Sequence, residues 1–90
     1  MKQLVPDEET IVALLLSEGS AAERGMSYVV DAYAKRLYAI IKRWTNNHEQ
    51  TNDILQEVFV LIWRKKEQFQ GNSSLFSWMY KIAYHETLNQ

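Results

Sequence analysis

The chain has 90 residues, no cysteine and a formal net charge of −1 at pH 7. A single domain of this size can bury one core without disulfides. The absence of thiols excludes a disulfide framework, a thiolate zinc site and a cysteine nucleophile. No apolar run approaches the length of a membrane span, and Met1-Lys2-Gln3 does not open a signal peptide. We therefore expect a cytoplasmic protein without membrane insertion.

The small net charge hides a difference between the two parts of the chain. Residues 1–34 carry a formal charge of −4, and residues 35–90 carry +3. A basic second part permits a nucleic-acid partner there. The excess is smaller than that of a dedicated duplex-DNA module.

The spacing of apolar residues predicts an all-α fold, a compact bundle of three long helices with a short helix in front. The short helix starts at residues 6–9, where acidic side chains favour a helix N-terminus, and ends at Gly19. Its buried side is predicted to consist of Ile11, Leu14 and Leu15. The second helix begins near Ser20 or after residue 25 and runs to about residue 44.

Two further helices follow a polar connection at residues 45–50. Thr51 or Asn52 is predicted to cap the third helix, which ends near Phe69. Residues 70–74 form a loop with a glycine at its hinge. Ser73 or Ser74 is predicted to cap the fourth helix, which continues towards the C-terminus.

The third helix has two distinct faces at helical spacing. Its predicted core stripe is Ile54, Leu55, Val58, Phe59, Leu61 and Ile62. Its opposite face is Asp53, Gln56, Glu57, Val60, Trp63, Arg64 and Glu67. A large indole ringed by acids and an amide is suited to binding a protein. Periodicity alone supports equally well a second interpretation, in which the indole of Trp63 packs sideways under a neighbouring helix.

The fourth helix also has two faces. The predicted buried side is Leu75, Trp78, Met79, Ile82, Ala83 and Glu86, and the other side is Ser77, Lys81, Tyr84, His85 and Leu88. A cation, a phenol and an imidazole beside a glycine-serine loop can contact phosphates and stack on unpaired bases. An ordinary polar face with aromatic edges is the interpretation that these residues favour by themselves.

Nothing in the sequence forms a recognisable reaction centre. His48 and His85 are the only histidines and lie in different elements. Patterns for metalloproteases, phosphate-binding loops, dinucleotide binding and serine hydrolases do not occur. We expect neither an enzyme nor a metal or cofactor site.

Two motifs resemble a known family. Residues 53–63 read DILQEVFVLIW, and residues 69–83 read FQGNSSLFSWMYKIA. In this order and spacing they resemble region two of bacterial RNA polymerase sigma factors, most closely the extracytoplasmic-function (ECF) group. The resemblance extends over essentially all 90 residues, so residues 1–90 are predicted to be one sigma region two domain.

The resemblance implies two binding surfaces. One would bind the clamp helices of the largest subunit of core RNA polymerase, through Asp53, Gln56, Glu57, Val60, Trp63 and Arg64. The other would open the promoter −10 element and capture an extruded non-template base, through Phe69, Gln70, Gly71, Asn72, Ser73 and Ser74, with Lys81, Ile82 and His85 beneath. This role is energetically feasible. Opening a base pair costs a few kcal/mol, and stacking of the extruded base and hydrogen bonds to its edge recover that cost.

Three departures from the family pattern bear on these roles. His85 stands where the family usually has Asn, which leaves the preferred base open. Gln70 stands where a basic residue is common, which removes a phosphate contact. The segment at residues 21–27 is longer than is typical of the family and lacks the usual phenylalanine.

The resemblance also leaves alternatives. Family members continue into a second helical domain that reads the −35 element, so we expect this chain to be a fragment. An anti-sigma factor is a further possible partner. The alternative function is a helical protein-binding adaptor that keeps a sigma-like clamp-binding face without DNA recognition.

Overall fold

The computed structural model describes residues 6–90, which form four α-helices. They are α1 (Glu8–Leu15), α2 (Ser20–Thr45), α3 (His48–Lys65) and α4 (Leu75–Leu88), and a 3₁₀ turn (Lys66–Gln68) follows α3. This confirms the all-α prediction of three long helices and a short one. Among the described residues, no helix is long and apolar enough to cross a membrane.

Helix α1 begins at the acidic residues that predicted its N-terminus. Asp7 is the N-cap, and its carboxylate accepts a 2.9 Å hydrogen bond from the backbone nitrogen of Thr10. That bond to the backbone of Thr10 holds the pKa of Asp7 below its usual value. Ile11 and Leu15 are buried as predicted, whereas Leu14 is only half-buried.

Gly25 lies inside α2, which runs without interruption from Ser20. The alternative start after Gly25 is therefore wrong. A Cβ atom at this position would lie 2.7 Å from Cα of Leu15 and 2.8 Å from the carbonyl carbon of Leu14. The missing side chain allows α1 and α2 to touch backbone to backbone, which compensates for the low helix propensity of glycine.

The predicted cap of α3 at Thr51 or Asn52 is wrong. Asn47 is the N-cap, with an extended backbone and a side-chain oxygen that accepts a 2.7 Å hydrogen bond from the nitrogen of Gln50. Thr51 instead lies one turn inside the helix, fully buried, with its hydroxyl 2.8 Å from that of Thr45. Asparagine and threonine are similar N-caps, so burial of Thr51 decided between them.

The core lies between α2, α3 and α4, with α1 closing one side. Its buried side chains are Ile11, Leu15, Val29, Tyr33, Leu37, Ile41, Ile54, Val58, Ile62, Leu75, Met79 and Ala83. Leu55, Phe59, Trp78 and Ile82 are half-buried and pack against this cluster. The predicted stripes of α3 and α4 are therefore correct at their centres, and their wider members lie at the edge.

The α-helical part of the third element ends at Lys65 rather than near Phe69. The next three residues tighten into the 3₁₀ turn, and Phe69 has an extended backbone. Ser74 caps α4 by accepting a 3.0 Å hydrogen bond from the nitrogen of Ser77. One of the two predicted caps of α4 is thus confirmed.

Candidate functional site

The outward face of α3 is free of contacts that would hide it. Every member of its predicted binding set is exposed, namely Asp53, Gln56, Glu57, Val60, Trp63 and Arg64. At 100° per residue these positions fall within about a third of the helix circumference. Val60 is 43% exposed and Trp63 is 37% exposed, so two apolar side chains stand among polar ones.

Trp63 is neither free in solvent nor covered by a helix. The ammonium group of Lys66 lies 4.1 Å from the centroid of its ring. The indole also borders an open hollow of about 420 Å³ whose other lining residues come from α2, namely Glu23, Met26, Ser27, Val30 and Asp31. Val30 is 37% exposed and lines this hollow. The indole is thus held in position while part of it remains accessible.

Lys66 holds this arrangement and was not singled out from the sequence. Only 9% of the residue is exposed, and its ammonium group donates a 3.1 Å hydrogen bond to the carbonyl oxygen of Leu15, the last residue of α1. A cation at a helix C-terminus is favourable. One feature of the sequence could have identified Lys66. It lies four residues after Ile62, which is buried, and residues four apart lie on the same side of a helix.

The loop between α3 and α4 presents polar groups at one end of the bundle. Gln70, Gly71, Asn72, Ser73 and Ser74 are all exposed. Gly71 has φ +77°, a conformation that favours glycine, and open space surrounds the position of its absent Cβ.

Phe69, which begins the loop, is anchored to the core. It is half-buried, and its ring centroid lies 5.5 Å from that of Trp78. The loop therefore extends from a packed aromatic residue on one side to the capped helix α4 on the other.

The N-terminal helix packs beside this loop. The carboxylate of Glu8 accepts a 2.9 Å hydrogen bond from the backbone nitrogen of Leu75, the first residue of α4. Between loop and helix lies a hollow of about 430 Å³, lined by Phe69, Gly71, Ser73, Glu8, Glu9, Val12 and Ala13. The acidic first helix thus forms one wall of the loop region, which the sequence did not suggest.

Three predicted nucleic-acid contacts lie further along α4. Lys81 and His85 are exposed, and Ile82 is half-buried. They follow the Ser74 cap by 7 to 11 residues, which corresponds to about 10–16 Å along a helix axis. They do not line the hollow beside the loop. They are nevertheless close to Phe69, because its ring packs on Trp78, which precedes Lys81 and Ile82 by three to four residues, about 4.5–6 Å along the helix axis.

No metal-binding cluster is present in the described part of the chain. Among residues 6–90 there is no group of three or more His, Asp or Glu side chains that could hold a metal ion.

The sequence of this all-helical domain matches the model of a defined family. Residues 29–90 match the family model of Sigma-70 region 2. This match covers more than half of the 90 residues, and the chain belongs to the Sigma-70 region 2 family. The resemblance found in the sequence is confirmed.

Curated relatives point to one branch of this family. Over 67 residues the chain is 30% identical to the ECF RNA polymerase sigma factor SigX of Bacillus subtilis, covering 74% of this chain and 34% of that protein. It is 27% identical to the RNA polymerase sigma-H factor of Pseudomonas aeruginosa and 24% identical to the ECF RNA polymerase sigma-E factor of Escherichia coli K12, in each case over 74% of this chain and 35% of the relative.

The matched region of this chain spans about a third of the length of these relatives. No solved structure matches the chain.

Proposed function

We propose that the chain is the promoter-specificity domain of an ECF-type sigma factor. In this role it binds core RNA polymerase at the clamp helices of the largest subunit, and it recognises and helps to melt the promoter −10 element. Membership of the Sigma-70 region 2 family and the sigma factor names of its relatives support this function.

The exposed apolar pair on α3 is the observation that carries the proposal. Val60 and Trp63 remain exposed on the same helix whose other side supplies the fully buried Ile54, Val58 and Ile62. An aromatic anchor within a polar ring is the usual composition of an interface centre. The ring here is Asp53, Gln56, Glu57 and Arg64.

A pull-down with the clamp-helix fragment of the polymerase largest subunit tests this surface. We expect Val60→Glu to abolish binding, because it places a charge at the centre of the interface without touching the core. Gln56→Ala combined with Trp63→Ala should weaken binding by about 2 kcal/mol or more, roughly thirtyfold. Leu88→Glu is the matched control, because Leu88 is 63% exposed at the far end of α4.

Unchanged binding of the folded Val60→Glu variant would refute the assignment of this face. Circular dichroism and a thermal melt establish folding for each variant. Trp63→Ala needs this check most, because the indole also contacts the ammonium group of Lys66.

The loop at residues 70–74 is proposed to capture the extruded base. Its exposed amide and hydroxyl side chains provide hydrogen-bond donors and acceptors for a base edge, and Phe69 offers a ring at the edge of the hollow. Stacking is worth about 1–3 kcal/mol per base, the same order as the cost of opening the pair.

The carboxylates beside the loop bear on the choice of base. Glu8 and Glu9 border the hollow, and a carboxylate accepts a hydrogen bond from the exocyclic amine of cytosine or adenine. One oxygen of Glu8 already accepts the hydrogen bond from the nitrogen of Leu75, whereas Glu9 is exposed, so we assign this contact to Glu9. We expect a cytosine- or adenine-containing strand to bind better than a thymine strand, and Glu9→Gln to reduce the difference. An unchanged difference in the variant would refute the role of Glu9.

The adaptor alternative keeps the α3 surface without DNA recognition. The net charge of −1, Gln70 in place of a basic residue and the acidic wall beside the loop favour it. Titration of the polymerase-bound domain with a single-stranded −10-like oligonucleotide at several salt concentrations separates the two functions. Binding that depends on sequence and falls steeply with salt supports the sigma function, and no binding supports the adaptor.

A further inference from the structure

We propose that Lys66 is a positioning residue for polymerase binding, which keeps the indole of Trp63 turned outward on the α3 face. This inference rests on the proposed function, because it names a residue that prepares the same surface for its partner. Lys66 acts through Trp63 rather than by touching the partner, since only 9% of Lys66 is exposed. The sequence analysis gave Lys66 no role in either binding surface.

The ammonium group of Lys66 has a position that does not depend on the indole. It donates its 3.1 Å hydrogen bond to the carbonyl oxygen of Leu15, which is 1% exposed. The backbone of Leu15 packs directly on Gly25 of α2, so this acceptor cannot move freely. The carboxylate of Glu67 lies 3.8 Å from the ammonium group, but its side chain is 72% exposed and holds the cation weakly. The end of α1 thus determines where the positive charge lies.

This positive charge attracts the indole of Trp63. The ammonium group lies 4.1 Å from the ring centroid, within the range of a cation–π interaction. Trp63 and Lys66 are three residues apart at the end of α3, a spacing that places two side chains next to each other. Tryptophan gives the strongest interaction of this kind, and removal of water strengthens it further. A partner that covers the exposed part of the indole would therefore tighten the contact.

The hollow beside the ring offers the indole a second position. Its lining includes the apolar side chains of Met26 and Val30, against which the ring could bury the area that is now exposed. Glu23 and Asp31 line the same hollow, and their carboxylates could accept a hydrogen bond from the indole nitrogen. An indole turned inward would remove the aromatic anchor from the α3 face. The charge of Lys66 selects the outward orientation of the two.

Holding the indole outward before binding increases affinity without adding a contact. The apparent dissociation constant equals the intrinsic constant divided by the fraction of molecules in the binding-competent orientation. A cation–π interaction changes the ratio of outward to inward molecules by roughly threefold to tenfold. Loss of the positive charge should therefore weaken polymerase binding by up to about the same factor.

Nuclear magnetic resonance of the 90-residue chain tests the orientation directly. In the unsubstituted chain we expect nuclear Overhauser effects between the ring protons of Trp63 and the methylene protons of Lys66. Lys66→Gln keeps a donor for the carbonyl of Leu15 but removes the charge, so the effects from the ring to the methyl groups of Met26 and Val30 should become stronger. Absence of the first effects, or an unchanged pattern in Lys66→Gln, would overturn the inference.

Titration calorimetry with the clamp-helix fragment of the polymerase largest subunit measures the effect on affinity. Lys66→Gln should weaken binding about threefold to tenfold. Lys65→Gln removes a charge from the exposed neighbour and should change binding by less than about twofold. Lys66→Arg should also stay within about twofold of the unsubstituted chain, because a guanidinium donates hydrogen bonds and stacks on aromatic rings.

A double-mutant cycle distinguishes positioning from a purely structural role. In a chain that already carries Trp63→Ala, Lys66→Gln should have no further effect on affinity, because no ring is left to position. An equal loss of affinity with and without the indole would overturn the positioning role. Urea unfolding of each variant sets a temperature at which all of them are folded, so that lost stability is not taken for lost affinity.

The outcomes separate this inference from the proposed function. If the unsubstituted chain does not bind the fragment, the proposed function fails, and the resonance data still decide whether Lys66 orients the ring. If the fragment binds the unsubstituted chain and Lys66→Gln equally well, the positioning role fails and the assignment of the α3 surface stands.

Discussion

The carboxylate of Glu8 and the backbone nitrogen of Leu75 are joined by a 2.9 Å hydrogen bond across 67 residues of sequence. The contact links the first turn of α1 to the first residue of α4. It satisfies one of the backbone nitrogens that a helix N-terminus leaves without an internal partner. The shortest helix of the fold thus stabilises the end of the loop proposed to capture a base.

Replacing Glu8 should loosen this end of α4. We expect Glu8→Ala to lower the free energy of unfolding by about 1–2 kcal/mol and to speed hydrogen exchange at the amide of Leu75. Glu8→Gln should retain most of the stability, because its amide oxygen can still accept the bond. Glu9→Ala is the control at an exposed neighbour. Equal effects of the two alanine variants, measured by urea unfolding, would contradict the role of the bond.

Removing the charge of Lys66 should weaken the junction of α1 and α3. Lys66→Met keeps most of the buried stem but leaves the carbonyl of Leu15 without its donor, so we expect a loss of about 1–3 kcal/mol. The fluorescence of Trp63 should change as well, because the ammonium group leaves its ring. Lys65→Met, at an exposed position, should change stability by less than about 0.5 kcal/mol. Equal stabilities of Lys66→Met and Lys65→Met would show that the buried contact does not stabilise the fold.

Gly25→Ala should destabilise the protein although alanine is the better helix former. Helix propensity alone predicts a gain of up to about 1 kcal/mol. A Cβ atom would press on the backbone of Leu14 and Leu15, which cannot move aside as a flexible side chain can. We expect a net loss of about 1–3 kcal/mol, typical of overpacking. Thermal melts of this variant and of Ser27→Ala, an exposed control on the same helix, provide the test; a higher melting temperature for Gly25→Ala would show that α1 can shift freely.

The Asp7 cap makes part of the stability depend on pH. The folded-state pKa of Asp7 lies below its usual value. The contribution of Asp7 to stability is therefore present above the unfolded-state pKa and is lost as pH falls through the folded-state pKa. Asp7→Asn keeps a capping oxygen without the titration. We expect the stability difference between the two proteins to shrink between neutral and strongly acidic pH in urea titrations. A constant difference over that range would contradict the lowered pKa.

Local patterns predicted most of the helices correctly because each signal lies within a few residues. The spacing of apolar and polar residues identified the buried centres of α3 and α4, and Ser74 was one of two adjacent serines predicted as the cap from their place before an apolar run. The cap of α3 was predicted wrongly at Thr51 or Asn52, because Asn47, in the segment predicted as a polar connection, also has a capping side chain. Thr51 is instead buried with its hydroxyl against that of Thr45, a contact that the local pattern does not record.

By itself, the sequence determined the helical class, the family, and the outward face of α3 to which Val60 and Trp63 belong. Periodicity and motif order encode all three. Tertiary structure alone decided that Lys66 turns inward to Leu15, that Glu8 bonds to Leu75, and that Trp44 meets Tyr80 and Tyr84. These contacts join residues on different helices. Their geometry depends on how the helices cross, and no spacing within one helix records it.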